Sequence, residues 1–152
     1  MMKMVSFDDA EEKLRNAEDF LRKHNFADAI LNTQICVELS VKCLFDALKI
    51  GYKRTHDIDD TCYDEAFNRL PHLVGKDYYL ANDISTKVGR ARVLLASLSS
   101  MRNYTEYGVS RVSAKDIFCS ARMEDLAKAF HDCANEIFFE LANLARYVRE
   151  LE

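Results

Sequence analysis

The sequence predicts an all-α protein, an up-and-down bundle of four to five helices in one domain that spans residues 1–152. The chain has only 4 Gly and 1 Pro, too few for a protein with many turns between strands. Apolar residues recur every three or four positions over long segments, and no segment alternates apolar and polar residues over the length of a strand. Short connections between long helices make neighbouring helices antiparallel.

Signals that start and stop helices divide the chain into five helical segments. Ser6 followed by Asp9 has the spacing of a capping box and starts the first helix. Asn25 starts the second helix and Gly51 stops it, while Pro71 breaks the third. The predicted helices cover residues 7–24, 26–49, 61–70, from near 77–83 to about 104, and 121–150.

The second helix is apolar around most of its circumference, which is typical of a helix in the centre of a bundle or in an interface. The fifth helix carries Phe138 and Phe139 beside its apolar stripe. This surplus of apolar surface favours a homodimer, because a two-fold dimer is the commonest way to cover it. The predicted core contains Ile30, Val37, Leu44, Leu95, Leu98, Phe130, Ile137 and Leu141.

Composition narrows the classes of function. The net charge of −4 gives no overall attraction to nucleic acid, so any such binding needs a local basic patch. No apolar run approaches the ~20 residues that span a bilayer. The first ten residues lack the apolar core of a signal peptide, so we expect no membrane association and a cytoplasmic location.

The cysteines predict free structural thiols. Their number is odd and no Cys-x-x-Cys pair is present, so neither a disulfide framework nor a metal site is indicated, and we expect no cofactor. Cysteine in a helical pattern behaves as a small apolar residue, so most of these thiols are expected to be buried or partly buried. They are Cys36, Cys43, Cys62, Cys119 and Cys133.

The segment Met-Arg-Asn-Tyr-Thr-Glu-Tyr-Gly at residues 101–108 places Arg102 near the end of the apolar stripe of the fourth helix. Such an arginine is costly unless its charge is paired or faces a polar cleft. The segment resembles the signature of the HEPN family, in which Arg-Asn is often followed after a few residues by a catalytic His. This chain has no His from 102 to 112.

The second helix is similar to the HEPN core helix from Ala27 to Leu44, with Glu38 and Lys42 at the spacing of its Glu-x-x-x-Lys pattern. Thr-His-Asp-Ile at 55–58 is similar to the sequence that follows that helix in many members. The resemblance implies a helical bundle that usually dimerises. Many HEPN proteins are metal-independent ribonucleases, others are toxins neutralised by a small nucleotidyltransferase, and others are degenerate RNA- or nucleotide-binding modules.

The resemblance gives Arg102 the role of stabilising charge on a phosphate. Transfer of the 2′-hydroxyl proton suits a group with a pKa near 7, so His56 and Tyr107 are the candidate acid/base groups, although Tyr keeps its proton until about pH 10. Glu106, also at the place of the missing His, would repel a phosphate. The candidate catalytic residues are therefore Arg102, His56 and Tyr107, and the candidate binding residues are Arg102, Asn103, Glu38, Lys42 and Arg111.

Several of these residues also have a structural interpretation. Glu38 either pairs with Lys42 one turn along its helix or holds Arg102 across the bundle. Arg102 itself is either an anion-binding group or a structural ion pair. The remaining arginines near it either join an anion site or lie on a solvated face; they are Arg90, Arg92 and Arg111.

The sequence therefore predicts a HEPN-type dimeric interaction module that binds RNA or a nucleotide near Arg102. A toxin-like partnership with a nucleotidyltransferase is implied by the resemblance alone. One alternative is an active metal-independent endoribonuclease that uses Arg102 with His56 or Tyr107. Another is a purely structural subunit whose apolar helix faces dock a partner.

Overall fold

The computed structural model describes residues 6–52, 58, 60–73, 78–106 and 120–150, and for residues 70, 71, 73, 78, 80, 99–106 and 120–122 it describes the backbone alone. This part of the chain forms five helices and no strand, which confirms the predicted all-α class. The helices are α1 (Phe7–Arg22), α2 (Phe26–Ala47), α3 (Asp60–Leu73), α4 (Tyr78–Glu106) and α5 (Ser120–Glu150).

Helix α2 lies at the centre of the bundle, where it packs against α1, α4 and α5. Helices α1 and α4 also contact α5, and α3 packs on α4. More than half of the residues of α2 are buried, which agrees with the prediction of a central helix. None of the helices that the structure describes is long and apolar enough to cross a membrane.

The starts of α1 and α2 follow the predicted capping residues. The Ser6 side chain accepts a hydrogen bond of 3.0 Å from the backbone N–H of Asp8. The Asn25 side chain accepts from the backbone N–H of Asp28 at 3.3 Å and donates to the Asp28 carboxylate at 2.6 Å. Each cap satisfies a backbone donor that has no partner within its helix.

The end of α2 differs from the prediction that Gly51 stops the helix. The helix ends at Ala47, and Lys49 takes a left-handed conformation with φ 60°. The N–H of Lys49 donates to the Asp46 carbonyl at 3.1 Å, and the N–H of Ile50 donates to the Phe45 carbonyl at 2.9 Å. These are the two bonds of a Schellman motif. Ile50 is buried in the core. The helix therefore ends at a point that allows the side chain of Ile50 to reach the core.

Helix α1 ends in the same motif, with His24 as its left-handed residue at φ 57°. The N–H of His24 donates to the Leu21 carbonyl at 3.1 Å, and that of Asn25 to the Phe20 carbonyl at 2.9 Å. His24 is therefore a residue of the helix end. Only residues 23–25 separate α1 from α2, so the two helices form a tight antiparallel hairpin.

Helix α3 is longer than predicted, because its backbone stays helical through Pro71 to Leu73. Proline has no N–H group, so the carbonyl four residues before it loses its hydrogen bond within the helix. The cost is easier to tolerate here, because the helix ends two residues after Pro71. Arg69 of α3 donates to the carbonyl oxygens of Leu48 at 3.3 Å and of Lys49 at 2.7 Å. Helix α3 thus caps the C-terminal end of α2.

Six of the eight predicted core residues are buried, and the other two, Leu95 and Phe130, are partly buried against the core. Leu94, which was not among the predicted core residues, is also buried, because α4 faces both α2 and α5 and its buried face is wider than one stripe. Phe138 is buried, whereas Phe139 is exposed. Cys36, Cys43 and Cys62 are buried as expected, but Cys133 is exposed, so its prediction was wrong. Cys119 lies outside the described residues.

Candidate functional site

Two charged side chains lie inside the bundle on α2. Lys42 Nζ is 2.9 Å from Glu38 Oε1, and these side chains are 10% and 3% exposed. The pairing is the intrahelical one that the four-residue spacing predicts. It is unlike a surface pair, because both groups have lost most of their contact with water and each depends on polar partners to stay charged.

Aromatic rings line the side of this ion pair that faces α3. Lys42 Nζ lies 5.7 Å from the centre of the Tyr52 ring, and the Tyr52 hydroxyl donates to the Asp46 carboxylate at 3.1 Å. Phe45 packs edge-on against Tyr63 of α3, with ring centres 5.5 Å apart. The face of the Tyr52 ring favours a nearby ammonium group, so it stabilises the buried Lys42.

Arg92 of α4 contacts two residues of α3 in this region, Asp60 and Tyr63. Its guanidinium donates to the Asp60 carboxylate at 2.6 Å and lies 5.1 Å from the centre of the Tyr63 ring. Burial raises the pKa of the Tyr63 hydroxyl above its ordinary value of 10.0, and the charge of Arg92 offsets part of that rise. Tyr63 therefore keeps its proton at neutral pH. We call Glu38, Lys42, Asp60, Tyr63 and Arg92 the polar cluster.

Within the polar cluster each cation has a carboxylate beside it. The cluster contains two carboxylates and two cations, and its residues come from the three helices α2, α3 and α4. No group of three or more potential metal ligands occurs among the residues that the structure describes.

Arg102 and Asn103 lie in the last turns of α4, and the structure describes their helical backbone but not their side chains. Arg102 follows Leu98 by one turn, in the register row that also holds the buried residues Ile84, Val88 and Ala91. The described residues of this row, from Ile84 to Leu98, face the bundle. Whether Glu38 contacts Arg102 stays a prediction.

Three predicted site residues, His56, Tyr107 and Arg111, lie outside the described residues. Of the remaining histidines, His131 places Nε2 3.3 Å from the Leu14 carbonyl and so joins α5 to α1. Among the predicted site residues, the structure therefore brings together Glu38 and Lys42 only.

Sequence reasoning missed Tyr52, Asp60 and Tyr63 as members of this region. It had placed Arg92 either in an anion site or on a solvated face, whereas Arg92 is paired with Asp60 and packed on a ring. Arg90, treated in the same way, is paired with Glu136 at 3.3 Å and Glu140 at 3.4 Å. The only sequence signal for these contacts was the presence of tyrosine and aspartate at the start of α3, and it does not identify their partners.

The fold and the site define a class of protein: a small all-α bundle whose central helix carries a buried Glu-x-x-x-Lys pair and whose fourth helix carries Arg-Asn in its last turns. A family model, described as the HEPN domain, matches residues 5–144. The chain belongs to the HEPN family. Comparison with curated proteins and with solved structures gave no match.

Proposed function

We propose that this HEPN protein is a cytoplasmic, dimeric module that binds the phosphate groups of RNA or of a nucleotide at the C-terminal end of α4, near Arg102, and does not cleave RNA. The buried Glu38–Lys42 pair carries the proposal. A buried ion pair is often no more stabilising than apolar residues of similar volume. The Glu38–Lys42 pair is the only buried pair of charged side chains among the described residues of a mostly apolar central helix, which favours a role in positioning groups on the neighbouring helix α4.

Family membership and the sequence after Arg102 support the second half of the proposal. Where ribonucleolytic members carry a His a few residues after Arg-Asn, this chain has Glu106 and Tyr107. A carboxylate repels a phosphate, and tyrosine holds its proton until about pH 10. Arginine alone binds and stabilises a phosphate but does not transfer the proton of the attacking hydroxyl.

Binding is tested with a fluorescein-labelled single-stranded RNA of mixed sequence and, separately, with a fluorescent ATP analogue, by anisotropy. Arg102→Ala should weaken binding of the ligand that the site takes, and should reduce the slope of log K against log salt by about 0.7 for RNA, as expected for one lost phosphate contact. Arg102→Lys keeps the charge but not the planar fork, so it should restore affinity only in part.

The matched control is Arg15→Ala, which removes an exposed arginine paired with Glu11 at 2.6 Å on α1. It changes net charge by the same amount and should leave affinity unchanged. Wild-type protein that binds neither probe, or equal losses in Arg102→Ala and Arg15→Ala, would overturn the proposal.

Cleavage is tested with end-labelled RNA, with and without EDTA. Wild type should leave the RNA intact, and Tyr107→His, which supplies an imidazole five residues after Arg102, should introduce some metal-independent cleavage. Cutting by wild type that Arg102→Ala abolishes would replace the proposal with the endoribonuclease alternative. A toxin-like partnership with a nucleotidyltransferase is supported by the family alone, and co-purification with such a protein encoded beside it would test it.

A further inference from the structure

Helix α3 is attached to the bundle mainly along one side. Its main neighbour is α4, whereas each of the other four helices packs against at least two neighbours. Among the side chains of α3 that the structure describes, Cys62, Tyr63 and Ala66 are buried and Phe67 is partly buried against the core. A helix of 14 residues is only marginally stable by itself in water, so α3 depends on these contacts.

Two polar attachments hold the ends of α3. Asp60, its first residue, accepts the hydrogen bond of Arg92 from α4. Near the other end, Arg69 donates to the carbonyl oxygens of Leu48 and Lys49 at the end of α2. The side chains of Arg92 and Arg69 are 37% and 42% exposed. Polar contacts with that much access to water contribute little stability, so both attachments break readily.

The face of α2 that carries the buried ion pair is turned toward α3. Glu38, Lys42 and Phe45 recur at intervals of four and three residues, so they share one face of α2. Phe45 packs against the ring of Tyr63 from α3. Burial is the main cause of the raised pKa of the Tyr63 hydroxyl, and the charge of Glu38 adds to it, which places the two groups near each other. Helix α3 is therefore part of the cover that keeps water from the ion pair.

Displacement of α3 has a smaller cost than displacement of any helix around the central core. It exposes the few apolar side chains at the contact of α3 with the bundle, such as Tyr63 and Phe45. It also returns water to Glu38 and Lys42, which lost most of their hydration when they were buried. Segments with few buried contacts and exposed polar attachments are those that open first in a folded protein.

We propose that α3 is a lid on the Glu38–Lys42 pair: it opens as a unit while α1, α2, α4 and α5 stay folded, and its opening brings the pair into contact with water. This motion goes beyond the proposed function, and neither RNA nor a nucleotide enters its test. A molecule that binds the exposed pair would hold the lid open, because a ligand shifts the population toward the state that it binds.

Alkylation of the wild-type cysteines by N-ethylmaleimide, followed for each cysteine by peptide mass spectrometry, tests the opening. Cys62 is buried on α3, whereas Cys36 is fully buried on α2. Cys62 should react at least about tenfold faster than Cys36, because opening of the lid requires less free energy than unfolding of the bundle. Equal rates would mean that both thiols react only when the whole bundle unfolds, and would overturn the lid.

The two attachments test whether α3 opens as a unit. Arg92→Ala should speed the alkylation of Cys62 by about 5- to 30-fold, the factor for a loss of one to two kcal/mol. Arg69→Ala should also speed it, although Arg69 lies seven residues from Cys62. Acceleration by Arg92→Ala alone would show that only the start of α3 frays, and would overturn opening as a unit.

The matched control is Arg90→Ala, which removes an arginine from the same helix as Arg92. Arg90 pairs with Glu136 and Glu140 of α5, and these contacts stay intact when the lid opens. Arg90→Ala should therefore leave the alkylation rate of Cys62 unchanged. If Arg90→Ala and Arg92→Ala accelerate Cys62 equally, then Cys62 reports unfolding of the bundle, and the lid is overturned.

Acetylation of lysines by a succinimidyl ester tests whether α3 covers the ion pair. The Lys42 side chain is 10% exposed and that of Lys128 is 57% exposed, so Lys42 should react far more slowly in wild type. Arg92→Ala should speed acetylation of Lys42 by the same factor as alkylation of Cys62, and leave Lys128 unchanged. Faster alkylation of Cys62 without faster acetylation of Lys42 would show that α3 opens but does not cover the pair, and would overturn the proposal.

Discussion

Arg92 donates a hydrogen bond of 2.6 Å to Asp60, and this contact fixes the first residue of α3 to the middle of α4. The same guanidinium packs on the ring of Tyr63. Because Arg92 is partly exposed, the ion pair contributes little, and the ring contact adds a comparable amount. The two contacts together hold the short helix α3 in place.

Arg92→Ala should lower the free energy of unfolding by about 1–2 kcal/mol and speed hydrogen exchange of the α3 amides before those of α2. Arg92→Lys should recover only part of the loss, since lysine lacks the planar group that packs on Tyr63. Urea unfolding and hydrogen exchange measure the two effects. Unchanged exchange in α3 would show that Arg92 does not hold this helix.

Glu38→Gln should lower the free energy of unfolding by about 3–5 kcal/mol, because it leaves Lys42 buried without its carboxylate. The double variant Glu38→Leu/Lys42→Met removes both charges and should regain most of that stability. If the pair positions α4 for binding, the double variant stays folded but binds the RNA or nucleotide probe more weakly. Urea titration and anisotropy on the same samples separate the two effects.

Leu98→Ala should cost about 2–5 kcal/mol, because it removes a fully buried side chain from the contact of α4 with the core. The control Val93→Ala truncates an exposed apolar residue of the same helix and should cost under about 1 kcal/mol. Thermal or urea unfolding measures both. Equal costs would mean that α4 packs in a different register.

Lys49→Gly should stabilise the protein, unlike most substitutions by glycine. Lys49 holds a left-handed conformation at the end of α2, which costs a residue with a side chain about 1–2 kcal/mol. Part of the gain is lost because glycine is more flexible in the unfolded chain, so we expect a net gain of about 0.5–1 kcal/mol. Lys49→Ala keeps the strain and serves as the control in urea unfolding.

Stability should fall above about pH 9. Burial raises the pKa of Cys36 and of Cys43 from 9.0 to about 12. Between those values the unfolded chain has released the thiol protons and the folded chain still holds them, so rising pH favours unfolding. Urea unfolding from pH 8 to 10 should show this decline, and Cys36→Ala/Cys43→Ala should flatten it. An equal decline in that variant would assign it to other groups.

Local chemistry allowed much of the fold to be predicted. Ser6 and Asn25 act on backbone groups within three residues of themselves, so the starts of α1 and α2 could be read directly. The stop at Lys49 was missed because the burial of Ile50, a tertiary contact, decides where α2 ends. Leu94 was missed for the same reason, since the width of the buried face of α4 depends on having two neighbours.

For the site, the sequence offered the Glu38–Lys42 pair as one of two alternatives for Glu38, because residues four apart on one helix are neighbours. It did not reveal the pairing of Arg92 with Asp60, whose positions are 32 apart in the chain. Such a contact follows from how α3 packs on α4, and many arrangements of the same helices would separate the two groups.

The central helix packs most closely against the first and the last helices of the bundle, and this arrangement imposes an order on biosynthesis. The α1–α2 hairpin is complete once residue 47 has been made, but the side of α2 that faces α5 has no cover until Glu150 is added. At ~5–20 residues per second, roughly 5–20 s pass in between. During that interval the nascent chain displays an apolar helix face, so chains stalled before α5 should be bound by chaperones, whereas finished chains should escape them.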